Sequence, residues 1–343
     1  MNNDLRLIVM DNISELGDKV KKHLNDMNNN NEDYIIKIIN DRFNNGEGKV
    51  TIKGSVREKD LYIISDVGNY SITYKLHGHD TYMSPDEHFQ DIKRVISATS
   101  GHAYKITVIM PLLYQSRQHK RKGRESLDCA LALQELERLG VNNIITVDAH
   151  DPNIVNAIPN IAFDNFYPTS FILDDLLEEM DDDNLIVISP DIGAMERARY
   201  YADRLKCDVG LFYKRRDLTK VINGKNPIVE HAYMGSSIDG RDAIVVDDMI
   251  SSGASMLEVA KLLKEKGARN VYLVSSFALF TEGVECFAKA YKEGHFVKLF
   301  TTNLSFVPEN IKKEPWYHEV DLSILIARII NTLNKKESLE KYF

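Results

Sequence analysis

Ala243-Ile244-Val245-Val246-Asp247-Asp248-Met249-Ile250-Ser251-Ser252-Gly253-Ala254-Ser255 is the stretch that decides the architecture. Its first four residues are apolar and mostly β-branched, the composition of a strand buried on both faces. Two adjacent carboxylates follow at the strand end, and small residues then open a helix read over residues 255–266. Small side chains let backbone N–H groups wrap a phosphate, and the helix N-terminus adds a favourable dipole. An anion repels carboxylates, so Asp247 and Asp248 suit hydroxyl groups, which donate hydrogen bonds to them. One loop, with Ser251, Ser252, Gly253, Ala254 and Ser255 at its phosphate end, thus fits the two ends of ribose 5-phosphate. The bland alternative is a helix cap beside two solvated acids.

Outward from this unit, short β-branched runs alternate with helical periodicity. In the second half, strands are predicted at 185–189, 209–212 and 271–275, with a helix from Ala194 and a closing helix at 324–330. In the first half, strands are predicted at 61–65, 106–110 and 144–147. Ser84-Pro85-Asp86-Glu87 is a capping-box helix start, and Phe89, Ile92, Val95 and Ile96 give that helix its apolar face. A further helix, 127–139, is stopped by Gly140, whereas the Asn-rich segment 25–33 reads as a surface loop. Such alternation predicts α/β domains whose parallel sheets are covered by helices, with ligands at the carboxyl ends of strands. The 343 residues suffice for two domains, each with its own core.

A net charge of −8 argues against binding nucleic acid through the whole surface. Phosphate binding then requires local convergence of Lys and Arg. Cys129, Cys207 and Cys286 lie far apart and outside any CxxC spacing, as idle thiols of a reducing cytosol do. No stretch approaches the roughly 18 apolar residues of a membrane span, so a cytoplasmic protein is expected.

Local convergence is present twice. Arg117-Gln118-His119-Lys120-Arg121-Lys122-Gly123-Arg124 is the densest basic patch and suits polyphosphate better than mere solvation. Lys214-Arg215-Arg216 ends an apolar strand and precedes a polar stretch, 217–226, as a cationic flap for phosphoryl chemistry would. Thr146-Val147-Asp148-Ala149-His150-Asp151 and Ser189-Pro190-Asp191 place acids and a histidine at two further strand ends. Pattern alone leaves Asp191 equally a metal carboxylate or an N-cap, and does not make His150 a ligand of Mg²⁺, which prefers oxygen.

Taken in order from about Phe43 onwards, these blocks resemble the ribose-phosphate pyrophosphokinases. Phe43-Asn44-Asn45-Gly46-Glu47 looks like that family's ATP-contacting loop, and Arg117-Gln118 like its ATP-contacting pair. Val56-Arg57-Glu58-Lys59-Asp60 is similar to the block before its next strand. The resemblance implies two similar phosphoribosyltransferase-like domains, 1–165 and 166–343, the closing helix packing back on the first. It implies ATP at Phe43, Asn45, Gly46, Glu47, Arg117 and Gln118, and Mg²⁺ at His150 and Asp191. Catalysis is implied for Lys214 and Arg216, and ribose 5-phosphate binding for Asp247, Asp248 and Ser251 to Ser255. The implied active site lies between the domains of a homo-oligomer, dimer-based or hexameric, with no nucleic acid or membrane as partner. There the ribose 1-hydroxyl takes the diphosphate of ATP and AMP leaves.

The chain departs from the family at Asn45 and His119, each replacing an Asp, and at Ser251, where another carboxylate is lost. The basic loop before Ser126 is shortened, and extra sequence lies between Asp66 and Pro85. Two other readings therefore stand beside the enzyme: a phosphoribosyltransferase, and a silent regulatory paralogue that binds nucleotide.

Overall fold

The computed structural model describes residues 4–180, 184–216 and 228–342, and for 214–216, 228–231 and 341 the backbone alone. The chain divides into two units. The first comprises Met1–Pro168, Asn303–Phe306 and Asp321–Phe343, the second Thr169–Thr302 and Val307–Val320.

In the first unit, β1 (Leu5–Val9) leads through α1 (Ser14–Asn28) to the antiparallel hairpin β2 (Ile38–Arg42) and β3 (Gly48–Ile52). Then come β4 (Asp60–Ile64), a second hairpin of β5 (Thr73–Leu76) and β6 (His79–Tyr82), and α2 (Pro85–Thr99). β7 (Lys105–Ile109), α3 (Asp128–Arg138), β8 (Asn143–Val147) and β9 (Ala162–Phe166) complete it. Its main sheet is parallel throughout, in the order β1-β4-β7-β8-β9. Leu61, Tyr62, Ile63 and Ile64 are all fully buried, as a central strand covered on both faces requires. Ser84 caps α2 reciprocally: its hydroxyl accepts from Glu87 N–H, and Glu87 Oε2 accepts from Ser84 N–H at 2.8 Å.

The Asn-rich segment is a correction. Residues 25–28 are the last turn of α1, not loop, and the helix stops only at Asn29, whose φ of 49° is left-handed. Asn28 donates to the Leu24 carbonyl and Asn25 Oδ1 accepts from Glu32 N–H, so asparagine side chains satisfy the helix end locally. Composition hid this, because capping asparagines count against burial.

The second unit contains α4 (Thr169–Glu178), β10 (Leu185–Ser189), α5 (Met195–Leu205), β11 (Asp208–Arg216) and β12 (Ile228–Met234). It continues with β13 (Asp242–Ile250), α6 (Ala254–Glu265), β14 (Val271–Ala278), α7 (Glu285–Lys292), β15 (Lys298–Thr302), α8 (Glu309–Lys312) and β16 (Tyr317–Val320). The strand order is β12-β11-β10-β13-β14-β15-β16, parallel except for the antiparallel β11–β12 pair. Trp316, Phe280, Phe287 and Phe296 pack as an aromatic cluster under the sheet.

Two strands run longer than predicted. β11 reaches Arg216 because β12 pairs back along it. β13 continues four residues past Val246, since its ladder with β14 persists to Met249↔Phe277 and Ile250↔Ala278. Asp247 and Asp248 therefore belong to the strand itself.

The C-terminal helix α9 (Ser323–Asn334) falls in the first unit; the sequence reading counted it within 166–343 but packed it back on the first domain. It buries Leu325, Ile326, Ile329 and Ile330, lies against α1, and is tied by Asn334 to Asp60 at 2.9 Å and Asp4 at 3.2 Å. No helix among the described residues is long and apolar enough to cross a membrane.

The segment Asn303–Phe306 is held to the rest of the first unit by Asp66, fully buried, which accepts the N–H groups of Phe306 and Gly68, both at 2.8 Å. Burial raises the Asp66 carboxyl to about 7, against the lowering effect of those two N–H groups. A carboxyl raised on folding contributes stability that is fully present below its unfolded value, and is lost as pH rises through the folded one. The expected result is a term that lowers the urea midpoint of this chain between about pH 4 and 7. Asp66→Asn should flatten that slope relative to the parent while lowering stability overall, because one N–H then faces an amide NH₂. Equal slopes in the two proteins would show that Asp66 does not titrate in this window.

Candidate active site

In the second unit, the residues singled out by sequence converge at the carboxyl ends of β10 and β13, which are adjacent in the sheet. The loop after β13 turns at Gly253, whose φ of +77° is left-handed, and α6 begins at the next residue. A Cβ at Gly253 would lie 2.2 Å from Phe287 Cζ, so glycine is required here twice over, by conformation and by space. The N-cap glycine supplies no side-chain cap to α6, and Ala254 N–H donates to the Ser252 hydroxyl at 3.4 Å. A glycine-turned helix start of this kind is where backbone N–H groups can meet an anion. The loop is pinned from the strand beside it: Leu279 N–H donates to Ile250 O, and Thr281 N–H to Ser251 O at 2.9 Å. The Ser251 and Thr281 hydroxyls lie 3.1 Å apart. Thr281, Arg197 and Phe287 were not singled out from sequence; spacing does not reveal that other strands and helices bring them here.

The acid pair is asymmetric. Asp248 is buried, with the Arg197 guanidinium 4.0 Å from its carboxylate, and only Asp247, half-buried, retains exposure. Of the two carboxylates assigned to a sugar from sequence, Asp247 is thus the more accessible. Asp247 Oδ1 accepts from Asp248 N–H at 2.9 Å. Burial, and then the neighbouring Asp248 charge, raise Asp247 well above the carboxylate range, against the pull of Arg197. Such a carboxyl holds its proton longer than usual and can both donate to and accept from a diol.

Asp191 follows β10. Its Oδ1 accepts from Gly193 N–H at 2.7 Å and Ala194 N–H at 3.1 Å, which closes the turn before α5, whose N-cap is Ala194 without a side-chain cap bond. Asp191 is exposed. Lys214 and Arg216 lie on β11, where the register with β12 shifts between Arg215 and Arg216. Their side chains, and the polar stretch 217–226, lie outside the described residues.

In the first unit, Phe43–Glu47 is the turn of the β2–β3 hairpin. Phe43 N–H donates to Glu47 O and Gly46 N–H to Phe43 O, both at 2.8 Å. Asn45 closes the turn from both sides, donating to Glu47 Oε2 at 3.0 Å and accepting from Glu47 N–H at 3.2 Å. Phe43 stands 53 % exposed at the tip, a flat apolar face presented outwards.

Arg117 and Gln118 form a short 3₁₀ turn after Gln115, Arg117 exposed and Gln118 bonded to the Ser126 carbonyl at 2.7 Å. His119 ties this turn to the one after β8. Its Nδ1–H faces Ser116 O at 3.1 Å, its Nε2 lies 3.1 Å from Asp151 Oδ2, and its ring centre is 5.3 Å from that of His150. Burial would raise Asp151, but the N–H groups of Asn153, then His119 and Lys120, hold it below the usual range. The turn is strained at Asp148, buried with a φ of +47°. The basic turn and His150 are thus brought together.

Among the described residues, no three His, Cys, Asp or Glu side chains assemble as a metal cage. Mg²⁺ does not need one, since it keeps several waters and binds one or two carboxylates with substrate phosphates.

Each unit is a mainly parallel sheet flanked by helices, of phosphoribosyltransferase type, and the comparisons agree. Residues 5–140 match the N-terminal domain of ribose phosphate pyrophosphokinase and residues 168–294 the phosphoribosyl transferase domain. Together these matches span well over half of the chain, and the chain belongs to the ribose-phosphate pyrophosphokinase family. The ribose-phosphate pyrophosphokinases of Bacillus cereus and Corynebacterium ammoniagenes are each 27 % identical over 345 residues, covering 100 % of this chain and 98 % of theirs. That of Burkholderia pseudomallei is 29 % identical over 245 residues, 71 % of this chain and 70 % of its own. The phosphoribosylpyrophosphate synthetase of Mycobacterium smegmatis shares the fold, with a TM-score of 0.80 at 22 % identity over 97 % of this chain and 100 % of that one.

Proposed function

We propose that the chain is a ribose-phosphate diphosphokinase, which forms phosphoribosyl pyrophosphate and AMP from ATP and ribose 5-phosphate. The observation that carries this reading is the glycine-turned start of α6 in the loop that follows the Asp247 carboxyl, in a chain aligned end to end with ribose-phosphate pyrophosphokinases. The 5-phosphate would bind the first-turn N–H groups of α6 and the Ser251, Ser252 and Ser255 hydroxyls. Asp247 would hold the ribose hydroxyls, with Asp248 fixed behind it by Arg197.

ATP would be received by the first unit, its base at Phe43 with Asn45, Gly46 and Glu47, its phosphates at Arg117 and Gln118. Asp191 and His150 would hold Mg²⁺ with the ATP phosphates, one Asp191 oxygen being committed to its turn. The bound cation neutralises polyphosphate charge. In the reaction, O1 of the ribose forms a bond to the β-phosphorus while the bond from that phosphorus to the α–β bridging oxygen breaks. AMP departs, and the O1 proton passes to solvent. Lys214 and Arg216 would meet the charge that develops on the transferred group. We place the protein in the cytoplasm, as a homo-oligomer.

Purified protein with ATP, Mg²⁺ and ribose 5-phosphate should release AMP and phosphoribosyl pyrophosphate in equal amounts without any nucleobase. A dependence on added base would make it a phosphoribosyltransferase. Binding of ATP without turnover would make it a silent regulator. Either outcome refutes the proposal.

A further inference from the structure

The hairpin β5–β6, the extra sequence before α2, lies against the turn that would receive adenine. Its tip is a two-residue turn in which His77 and Gly78 both have positive φ, 47° and 85°. His77 N–H donates to the Asn44 carbonyl at 2.9 Å. A Cβ built on Gly46 would stand 3.0 Å from Leu76 Cδ1 and 3.8 Å from the Tyr74 hydroxyl, so β5 side chains abut the apex of the turn. Tyr74 is itself fixed, donating to Glu87 Oε1 at 2.5 Å with the Arg42 guanidinium 5.7 Å from its ring centre. Arg42 donates to the buried Asp91 and to Asn40 at 3.1 Å. Without the second hairpin, a five-residue turn carrying an exposed Phe43 would be held by its own hydrogen bonds alone. Ordering such a turn when a ligand binds costs affinity, and a fixed one avoids that cost.

We infer that the hairpin Thr73–Tyr82 is a buttress that sets nucleotide affinity and base discrimination, with Leu76 and Tyr74 as positioning residues for the Phe43–Glu47 turn. The inference rests on the proposed function, because it takes that turn as the adenine site. Neither residue is among those assigned to the phosphates, so the effect should fall on nucleotide binding.

The test is steady-state kinetics of Leu76→Ala, Tyr74→Phe and Leu76→Met, with equilibrium binding of ATP to each. Leu76→Ala should raise the KM for ATP about five- to tenfold and narrow the preference for ATP over GTP, leaving kcat and the KM for ribose 5-phosphate within about twofold. Tyr74→Phe, which keeps the ring and loses the bond to Glu87, should raise the ATP KM about two- to threefold. Leu76→Met should restore the parent value to within about twofold, since it refills the same volume. Should Leu76→Ala not fold, Tyr74→Phe decides. An unchanged ATP KM and ATP affinity in a parent that binds ATP overturns the buttress alone. So does a loss of kcat and of both KM values together. A parent that binds no ATP overturns the proposed function itself.

Discussion

Gly253→Ala should reduce kcat/KM for ribose 5-phosphate at least about a hundredfold while leaving ATP binding to the first unit unchanged. Two costs coincide at this residue. A left-handed φ costs an alanine roughly 1–2 kcal/mol relative to glycine. The new methyl would also lie 2.2 Å from the Phe287 ring, well inside contact distance. Phe287 cannot retreat, because it is fully buried and stacks on Trp316 at 5.8 Å and edge-on to Phe280 at 5.3 Å. Overpacking of this kind costs about 1–3 kcal/mol, and the chain relieves it by moving the less constrained partner, the loop. The loop is what would carry the 5-phosphate, so a small strain becomes a large loss of binding. A modest fall in melting temperature should accompany the loss. If Gly253→Ala keeps its ribose 5-phosphate KM, the N–H groups of this turn do not hold the phosphate.

The Phe287 contact also shows what could and could not be read beforehand. Strand 185–189, the capping box at Ser84 and the turn at Gly140 were legible because each is a local pattern: a β-branched run, a reciprocal cap, a helix stop. The small residues at 251–255 announced a close backbone approach, yet nothing in them named Phe287, which lies over thirty residues further on. Asp247 and Asp248 looked equivalent, being adjacent and of one type. Arg197 separates them, and an arginine one turn into a helix carries no sign of which strand it faces. Asp191 was equally cap and ligand on pattern, and one of its oxygens is taken up by the turn before α5, whose N-cap is Ala194. The run of asparagines was misread as loop for the same reason that α9 was difficult to allot. Composition reports propensity, whereas the helix end is decided by side-chain bonds and the final helix by the surface it covers.

His119 illustrates a departure that the fold absorbs. Where the resemblance led one to expect a carboxylate, an imidazole lies with its Nε2 3.1 Å from Asp151 Oδ2 across the turn. Asn45 behaves similarly: its amide both donates and accepts within the Phe43–Glu47 turn, closing it without a charge. Neither change removes a residue assigned to phosphoryl transfer.

Lys214→Ala should lower kcat about a thousandfold, with the KM for ATP and for ribose 5-phosphate each moving less than about threefold and the melting temperature unmoved. The size follows from when the contact is made. A cation that binds substrate and transition state equally would raise KM on removal, whereas one meeting charge only as the β-phosphorus is transferred lowers kcat alone. Electrostatic groups aimed at developing charge are worth about 2.7–4 kcal/mol apiece when water is excluded. In a protein of net charge −8, the general field of the surface would not replace that cation. Lys214→Arg should recover part of the rate and not all, since a planar guanidinium differs in reach and direction from an ammonium. Arg216→Ala, at the second residue assigned to the transferred group, should likewise lower kcat. A Lys214→Ala enzyme turning over at the parent rate would remove this lysine from the reaction, and with it the cationic flap as the source of the rate.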